Sequence, residues 1–453
     1  MRSIHSPTIM IRVASRSWCA SPVVFCCTAV HARRRHRLHQ SRRPQAGIRE
    51  RMANERESAN TAPAAAAPAA AASAASAPVT KGRIDALDWA RGWMLVASLG
   101  VNSAIISIPL LGHASWASVM PIDLIFPLFV TLAGCGMAFA FHRRVEPWGV
   151  VRRALVLLAL GLAYNAVVDA TTSLTELRFT GVLQLYAVVI IVMALLHLVT
   201  RSWRGWALLT ILLAVAHTAL LSIFARACVA TLLTPECNPS GPLDSLLFGA
   251  SHIYTNGVAG HDPEGIVAIF GALVSTAAGA TLGHLILHFR RSEASSSTRL
   301  PITTVPIVLA IAALVGFALV LWLGSDLLAG GPVPPMKRLW TAPFALSIAA
   351  LAAVLLWLGQ IALPSSGFRT ERQSRFWMPW VALGRNSLLA YFGSHLLMAL
   401  LRRPLPGGVS IADHFAQLFP SAMLAQVVWT TLWLAAWVLL AIVLHRRGWY
   451  VKP

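Results

Sequence analysis

The sequence predicts an all-α integral membrane protein with about ten transmembrane helices, and three observations carry that reading. The 453 residues are 57% hydrophobic and only 12% charged, too apolar for an ordinary soluble domain. The apolar residues fall in runs of about twenty, the length that crosses a hydrocarbon core as helix. The basic residues gather in alternate loops between those runs, as positive-inside topology requires.

Taken in order, the expected spans are 87–110, 121–141, 154–170, 180–199, 206–226, 264–288, 303–328, 339–361, 379–401 and 422–444. The third is expected to end early, where Asn165 and Asp169 interrupt it. On one side lie Arg143, Arg144, Arg152 and Arg153, Arg201 and Arg204, Arg290, Arg291 and Arg299, Arg369, Arg372 and Arg375, and Arg446, Arg447 and Lys452. The other side holds Arg178, Arg226, Lys337, Arg338, Arg402 and Arg403. Fifteen basic residues against six place both termini in the cytoplasm, with the first inter-span loop facing outward. For a bacterial cell the membrane would be the inner one and that outside the periplasm.

Ahead of the first span, residues 1–82 read as an unfolded leader. A basic, His-rich stretch is followed by an Ala/Pro/Ser tract at 62–78, too poor in large apolar residues to form a core. No compact secretory signal is visible. Met52 opens a cleaner leader and is the expected start, with 1–51 an over-extended reading frame; a basic cytoplasmic arm is the alternative. The eleven arginines of 1–51, set against Glu50, account for half of the formal charge of +20. What remains is explained by loop arginines, so nucleic acid is not an expected partner. The membrane domain is expected to occupy 83–453. Cys135 lies inside a span as a packing residue, whereas Cys228 and Cys237 share an outward loop and could pair in an oxidising compartment. No Cys/His spacing suggests a metal.

The outward loops collect unusual chemistry: His113, Asp123, Arg178, His252, Tyr254, His261, Asp262, Glu264, Lys337 and Trp340. Ionisable groups at a membrane boundary are costly unless paired or wetted, and so invite a functional reading. Six motifs stand in register: Arg83-Ile-Asp-Ala-Leu-Asp-Trp-Ala-Arg-Gly92 with Val101-Asn102; His113-Ala-Ser-Trp116 followed by Asp123-Leu-Ile-Phe-Pro127 and Gly134; Arg178-Phe-Thr-Gly-Val-Leu-Gln184; Asp262-Pro-Glu-Gly265 after His252-Ile-Tyr254; Lys337-Arg-Leu-Trp-Thr341; and Gly384-Arg-Asn-Ser-Leu-Leu-Ala-Tyr391. Together they resemble the heparan-alpha-glucosaminide N-acetyltransferase family, over roughly residues 83–400. The resemblance implies a transmembrane acyltransferase-like bundle that carries acetyl from cytoplasmic acetyl-CoA to an amino sugar or glycan across the bilayer. No stretch here is expected to form the soluble luminal domain of the animal lysosomal member, so the resemblance speaks to acetyl transfer rather than to heparan.

Acetyl transfer to an amine needs a base for the ammonium proton and donors for the developing oxyanion. The resemblance implies that His113 is the active-site histidine, as base or as acetyl carrier; a boundary histidine bonded to a loop carbonyl is the plain alternative. It also places an active-site asparagine at Asn102, whose amide could donate to the thioester oxygen or hold His113 in one tautomer. Helix packing would use the same side chain. Asp123 could accept from His113, or serve the start of the second span. Asp262 and Glu264 suit either a helix N-terminus or a cationic acceptor. Arg178 joins them through its motif. Lys337 could bind a polyanionic sugar, and Trp340 could stack on a sugar face or anchor the interface. For CoA, Arg91 at the inner end of the first span could meet phosphates. Asn386, Tyr391 and His395 on the ninth span could line its tunnel, or bond between helices. Acetyl-CoA is thus the expected donor, with no metal, and a homodimer is left open. Two other classes stay in view. A small-solute transporter or exporter would suit the polar residues inside spans, although the halves show no repeat. An O-acyltransferase of a surface polysaccharide would share the opening Arg/Asp pattern, but the Asp-Pro-Glu-Gly segment favours amine acetylation.

Overall fold

The computed structural model describes residues 85–171, 173–293, 303–329, 333–363 and 371–451. The expected leader, Arg83, Arg299, Arg369 and Lys452, and the side chains of Arg290, Arg291 and Arg372, lie outside the described residues. Among the described residues thirteen α-helices run in chain order as α1 (Asp85–Asn102), α2 (Ile125–Phe141), α3 (Pro147–Val168), α4 (Val182–Val199), α5 (Trp203–Ala225), α6 (Ser240–Phe248), α7 (Ile266–Glu293), α8 (Thr304–Ala329), α9 (Ala342–Ala362), α10 (Glu371–Arg385), α11 (Ser387–Leu401), α12 (Ile411–Gln417) and α13 (Ala422–Arg446). A single turn of 3-10 helix, Pro121–Leu124, leads into α2. Eight of these helices (α2–α5, α7–α9 and α13) are long and apolar enough to cross a bilayer. The protein is an all-α, multi-pass membrane bundle.

Three expected spans differ in detail. The first ends at Asn102 and carries Asp85, Asp88 and Arg91 in its 18 residues, so it is charged in its N-terminal half. The third runs on through Asn165 to Val168. Asn165 does not interrupt it, because its amide is used sideways, donating to the Arg178 and Thr180 carbonyls at 2.8 and 2.7 Å. The ninth is not one helix. It breaks at Asn386, whose φ of −108° and ψ of 28° leave the helical region between α10 and α11. Upstream of the break, Arg385 reaches Asp85 at 3.0 Å and Asp88 at 3.3 Å. The charges of α1 are thereby paired, and the first motif is joined to the last.

Helices α2 and α7 form the central contact. A methyl group placed on Gly134 would overlap the Thr276 carbonyl, and one on Gly279 would overlap that of Thr131. Small residues let the two backbones touch, as membrane helix pairs commonly require. Burial grades outward from there. The most apolar stretch of α7 is 72% buried, whereas those of α8 and α13 are only 11% and 17% buried and turn their side chains to lipid. Cys135 is fully buried in the α2 core, and Cys228 is bonded to Cys237.

Candidate active site

The chain leaves α1 at Asn102 and returns through an extended loop to the Pro121 turn. That turn fixes Asp123. Its carboxylate is buried and takes the backbone N–H groups of Ala114 and Met120 on Oδ2, each at 3.0 Å, while Oδ1 lies 2.7 Å from His113 Nδ1. Asp123 is the third residue of this turn rather than the N-cap of α2, and its two oxygens divide between the loop backbone and the imidazole. The His113 side chain stays 55% exposed. Held through Nδ1–H by the carboxylate, the ring presents Nε2 as the free acceptor, the tautomer that general-base chemistry needs.

The loop is braced from three sides. Arg338 Nη2 donates to the Ala114 carbonyl at 2.9 Å. Lys337 Nζ stands 3.9 Å from Asp123 Oδ1, the same oxygen that holds His113. Trp116 Nε1 donates to Leu233 O at 2.7 Å in the disulfide-closed loop, and the indole meets the His261 ring edge-on at 5.0 Å. His261 Nδ1 in turn lies 2.9 Å from the Ala259 carbonyl. Burial, reinforced by Arg338, holds this imidazole below its ordinary pKa despite that hydrogen bond, so it stands neutral.

One residue further on, Asp262 belongs to a second network. Arg178 Nη2 bridges Asp262 Oδ1 at 2.8 Å and Glu264 Oε2 at 2.7 Å, and its guanidinium lies 5.0 Å above the Tyr254 ring. Thr180 and the Tyr254 N–H occupy Asp262 Oδ2. Burial alone would lower the Arg178 pKa, but the two carboxylates hold it above the ordinary value. Asp262 is wholly buried and fully bonded, so it anchors the network rather than meeting a ligand. Asp244 accepts the first N–H of α7, from Ile266, at 2.7 Å, so a third carboxylate stands at the helix N-terminus that sequence reasoning gave to Asp262 and Glu264.

Arg178 and Glu264 also line a cavity of about 600 Å³ between α3, α4, α11 and the turn at 253–256. Its wall includes Tyr164, Asp169, Glu176, Gln184, Tyr254, Tyr391 and His395. Three carboxylates face one guanidinium there, so the cavity favours a cation. Burial raises the Asp169 carboxyl pKa, opposed by Arg178. Gln184 Nε2 is buried without a hydrogen-bond partner among the described residues.

The expected site residues thus separate into groups. His113, Asp123 and Lys337 come together, as do Arg178, Asp262 and Glu264. Tyr391 and His395 share a face as expected, with ring centroids 4.3 Å apart, but they open on the acidic cavity beside Glu264 rather than on a set with Arg91. Arg91 is half-buried and donates through one Nη2 N–H to the Leu132 carbonyl at 3.1 Å. Asn386 is buried at the helix break. Trp340 is fully buried, with Nε1 donating to Ser275 at 3.0 Å, and has no face to offer a sugar. Lys337 is only 8% exposed and is turned to Asp123, so a polyanionic sugar cannot lie along it. Asn102 makes no hydrogen bond to His113; its Nδ2 is buried and unpartnered among the described residues. Sequence reasoning missed Tyr164 and Glu176, and it named Trp116 and His261 without pairing them. These residues meet only through the packing of segments far apart in the chain. Among the described residues no group of His, Cys, Asp and Glu suits a metal ion.

A multi-pass helical membrane protein with an imidazole–carboxylate pair in an extramembrane loop is the class that fold and site define. Residues 83–241 match the family model described as heparan-alpha-glucosaminide N-acetyltransferase, catalytic. The mouse heparan-alpha-glucosaminide N-acetyltransferase is 24% identical over 426 residues, covering 82% of this chain and 60% of the relative. The human protein of that name is 24% identical over 423 residues, covering 81% and 59%. The family model covers about a third of the chain, and the chain spans about three-fifths of the length of the curated relatives it matches.

Proposed function

We propose that the protein is a membrane acetyltransferase. It takes acetyl from acetyl-CoA at the arginine-rich, cytoplasmic face and passes it to the amine of an amino sugar or glycan at the opposite face, in the inner membrane of a bacterium. The observation that carries this is the His113–Asp123 pair, with Nε2 free, inside the segment that matches the catalytic family model. His113 serves as base for the ammonium proton, and Asp123 orients the ring and stabilises the imidazolium that forms. The acid-rich cavity beside Arg178 and Glu264 is the acceptor site, where carboxylates favour a protonated amine over the phosphates of CoA. Asp262 ties that cavity to the His113 loop, since its neighbour His261 touches Trp116. The Cys228–Cys237 bond on the same side agrees with an oxidising compartment there.

Inside-out membrane vesicles test the reading. Labelled acetyl-CoA added outside them is expected to acetylate glucosamine enclosed in the lumen, with His113→Ala lowering the rate at least about 100-fold. Full activity of that variant overturns the role of His113. Movement of unmodified glucosamine across the membrane, without acetylation, would replace the enzyme with a transporter.

A further inference from the structure

Lys337 is a charged side chain in an unusual position. It is more than nine-tenths buried, yet its ammonium donates no hydrogen bond among the described residues. The nearest carboxylate oxygen, Asp123 Oδ1, lies 3.9 Å away and is already held by His113 Nδ1 at 2.7 Å. The other cation at the loop, Arg338, is half-buried and braces the Ala114 carbonyl through one Nη2 N–H. His261 is bonded to Ala259 and faces Trp116. Lys337 is therefore a buried cation beside the carboxylate that holds His113, with no hydrogen bond from its ammonium among the described residues.

Its place is set by strain. Trp340 has a φ of 47°, a left-handed conformation costly for a bulky residue. The turn holds it there. Trp340 N–H donates to Lys337 O at 3.0 Å and Thr341 N–H to Met336 O at 3.1 Å, while the Thr341 hydroxyl accepts from Met336 N–H at 2.9 Å. A methyl on Gly271 would overlap the Trp340 carbonyl, so α7 presses on the turn from beneath. Fixed turns of this kind concentrate at functional sites.

We propose that Lys337 is a catalytic residue that donates a hydrogen bond to the oxyanion formed during acetyl transfer; the proposal rests on His113 being the base. The acceptor nitrogen, as the neutral amine once its ammonium proton has passed to solvent, attacks the thioester carbonyl carbon, the C–N bond forms, and the carbonyl electron pair moves to oxygen, where Lys337 Nζ donates. His113 Nε2 takes the proton released by nitrogen. The oxyanion then collapses, the C–S bond breaks, and the departing CoA thiolate recovers the proton from His113. Charge balances throughout. Before reaction Asp123 offsets Lys337; at the tetrahedral stage Asp123 and the oxyanion offset His113 and Lys337. A pre-placed donor in a half-desolvated site is worth about 100- to 1000-fold in rate.

The test compares Lys337→Met and Lys337→Gln with wild type and His113→Ala in the full-length enzyme, using acetyl-CoA and glucosamine. Lys337→Met is expected to lower kcat about 100-fold with KM for glucosamine unchanged, and the amide of Lys337→Gln to restore part of it. A raised KM at unchanged kcat would make Lys337 an acceptor contact, and a shifted acid limb of the pH–rate profile with the plateau intact would make it only a charge partner of Asp123. Either result overturns the proposal, as does equal loss in both variants, or full activity of Lys337→Met. Loss of activity in His113→Ala alongside an active Lys337→Met rejects this inference and leaves the base in place; full activity of His113→Ala rejects the reading beneath it. Thermal unfolding of each variant separates misfolding from catalysis, and Lys337→Gln, which keeps length and polarity, stands in if the methionine variant does not fold.

Discussion

His261 shows how a single side chain is given its state by its surroundings. Burial and the nearby Arg338 favour the uncharged ring, and the ring is the edge against which Trp116 packs. The sign of its pH effect follows. The folded pKa lies below the unfolded value of about 6.5, so the unfolded chain binds the proton first. The stability this residue contributes is full above that value and is lost as pH falls through and below it. The purified protein is expected to melt at a lower temperature at pH 5.5 than at pH 7.5, and His261→Gln to narrow the difference. An unchanged difference would mean that His261 is not neutral in the fold. His113 offers the contrast, because it sits only ten residues from its carboxylate partner and was visible in sequence as a pair. The partner of His261, Trp116, lies in another loop, so no local pattern announced it.

Helix contacts are decided by what the side chains omit. The α2–α7 seam depends on Gly134 and Gly279, where backbone meets backbone without a Cβ between. Gly279→Ala is expected to destabilise the solubilised protein by about 1–3 kcal/mol, the usual cost of overpacking. Gly316→Ala on α8 is the control: no atom stands within 4 Å of the added methyl, so the substitution should be neutral or slightly stabilising. Unfolding in detergent checks both, and equal effects would remove the seam from the account. At this scale the sequence located most helices, because lipid demands long apolar runs whatever their neighbours. It did not locate the break at Asn386. An asparagine amid apolar residues reads equally as a packing group, and only the backbone angles at Asn386 separate α10 from α11.

For the molecule as a whole, the arginine distribution is a prediction about sidedness. Ser202 and Val258 are both exposed, one in an arginine-rich loop and one in the loop that carries His261. With Cys19, Cys26 and Cys27 replaced by serine, Ser202→Cys is expected to react with an impermeant maleimide only in inside-out vesicles. Val258→Cys is expected to react only in right-side-out ones. Labelling of both from one side would abolish the two-faced arrangement that acetyl transfer across a membrane needs.

The sequence by itself determined the membrane class, the approximate spans and the His113–Asp123 pair, because hydropathy, charge asymmetry and a ten-residue spacing are local properties of the chain. Tertiary structure alone decided which of the other polar residues are free to act. Lys337 and Trp340 stand in one short motif and read alike as acceptor contacts, yet burial seals Trp340 against Ser275 while leaving the Lys337 ammonium beside Asp123 with no hydrogen bond among the described residues. Asp262 and Glu264 are two residues apart, yet one is consumed as an anchor and the other faces the cavity. Whether a polar group is spent or available depends on which distant segments reach it, and that is set by packing.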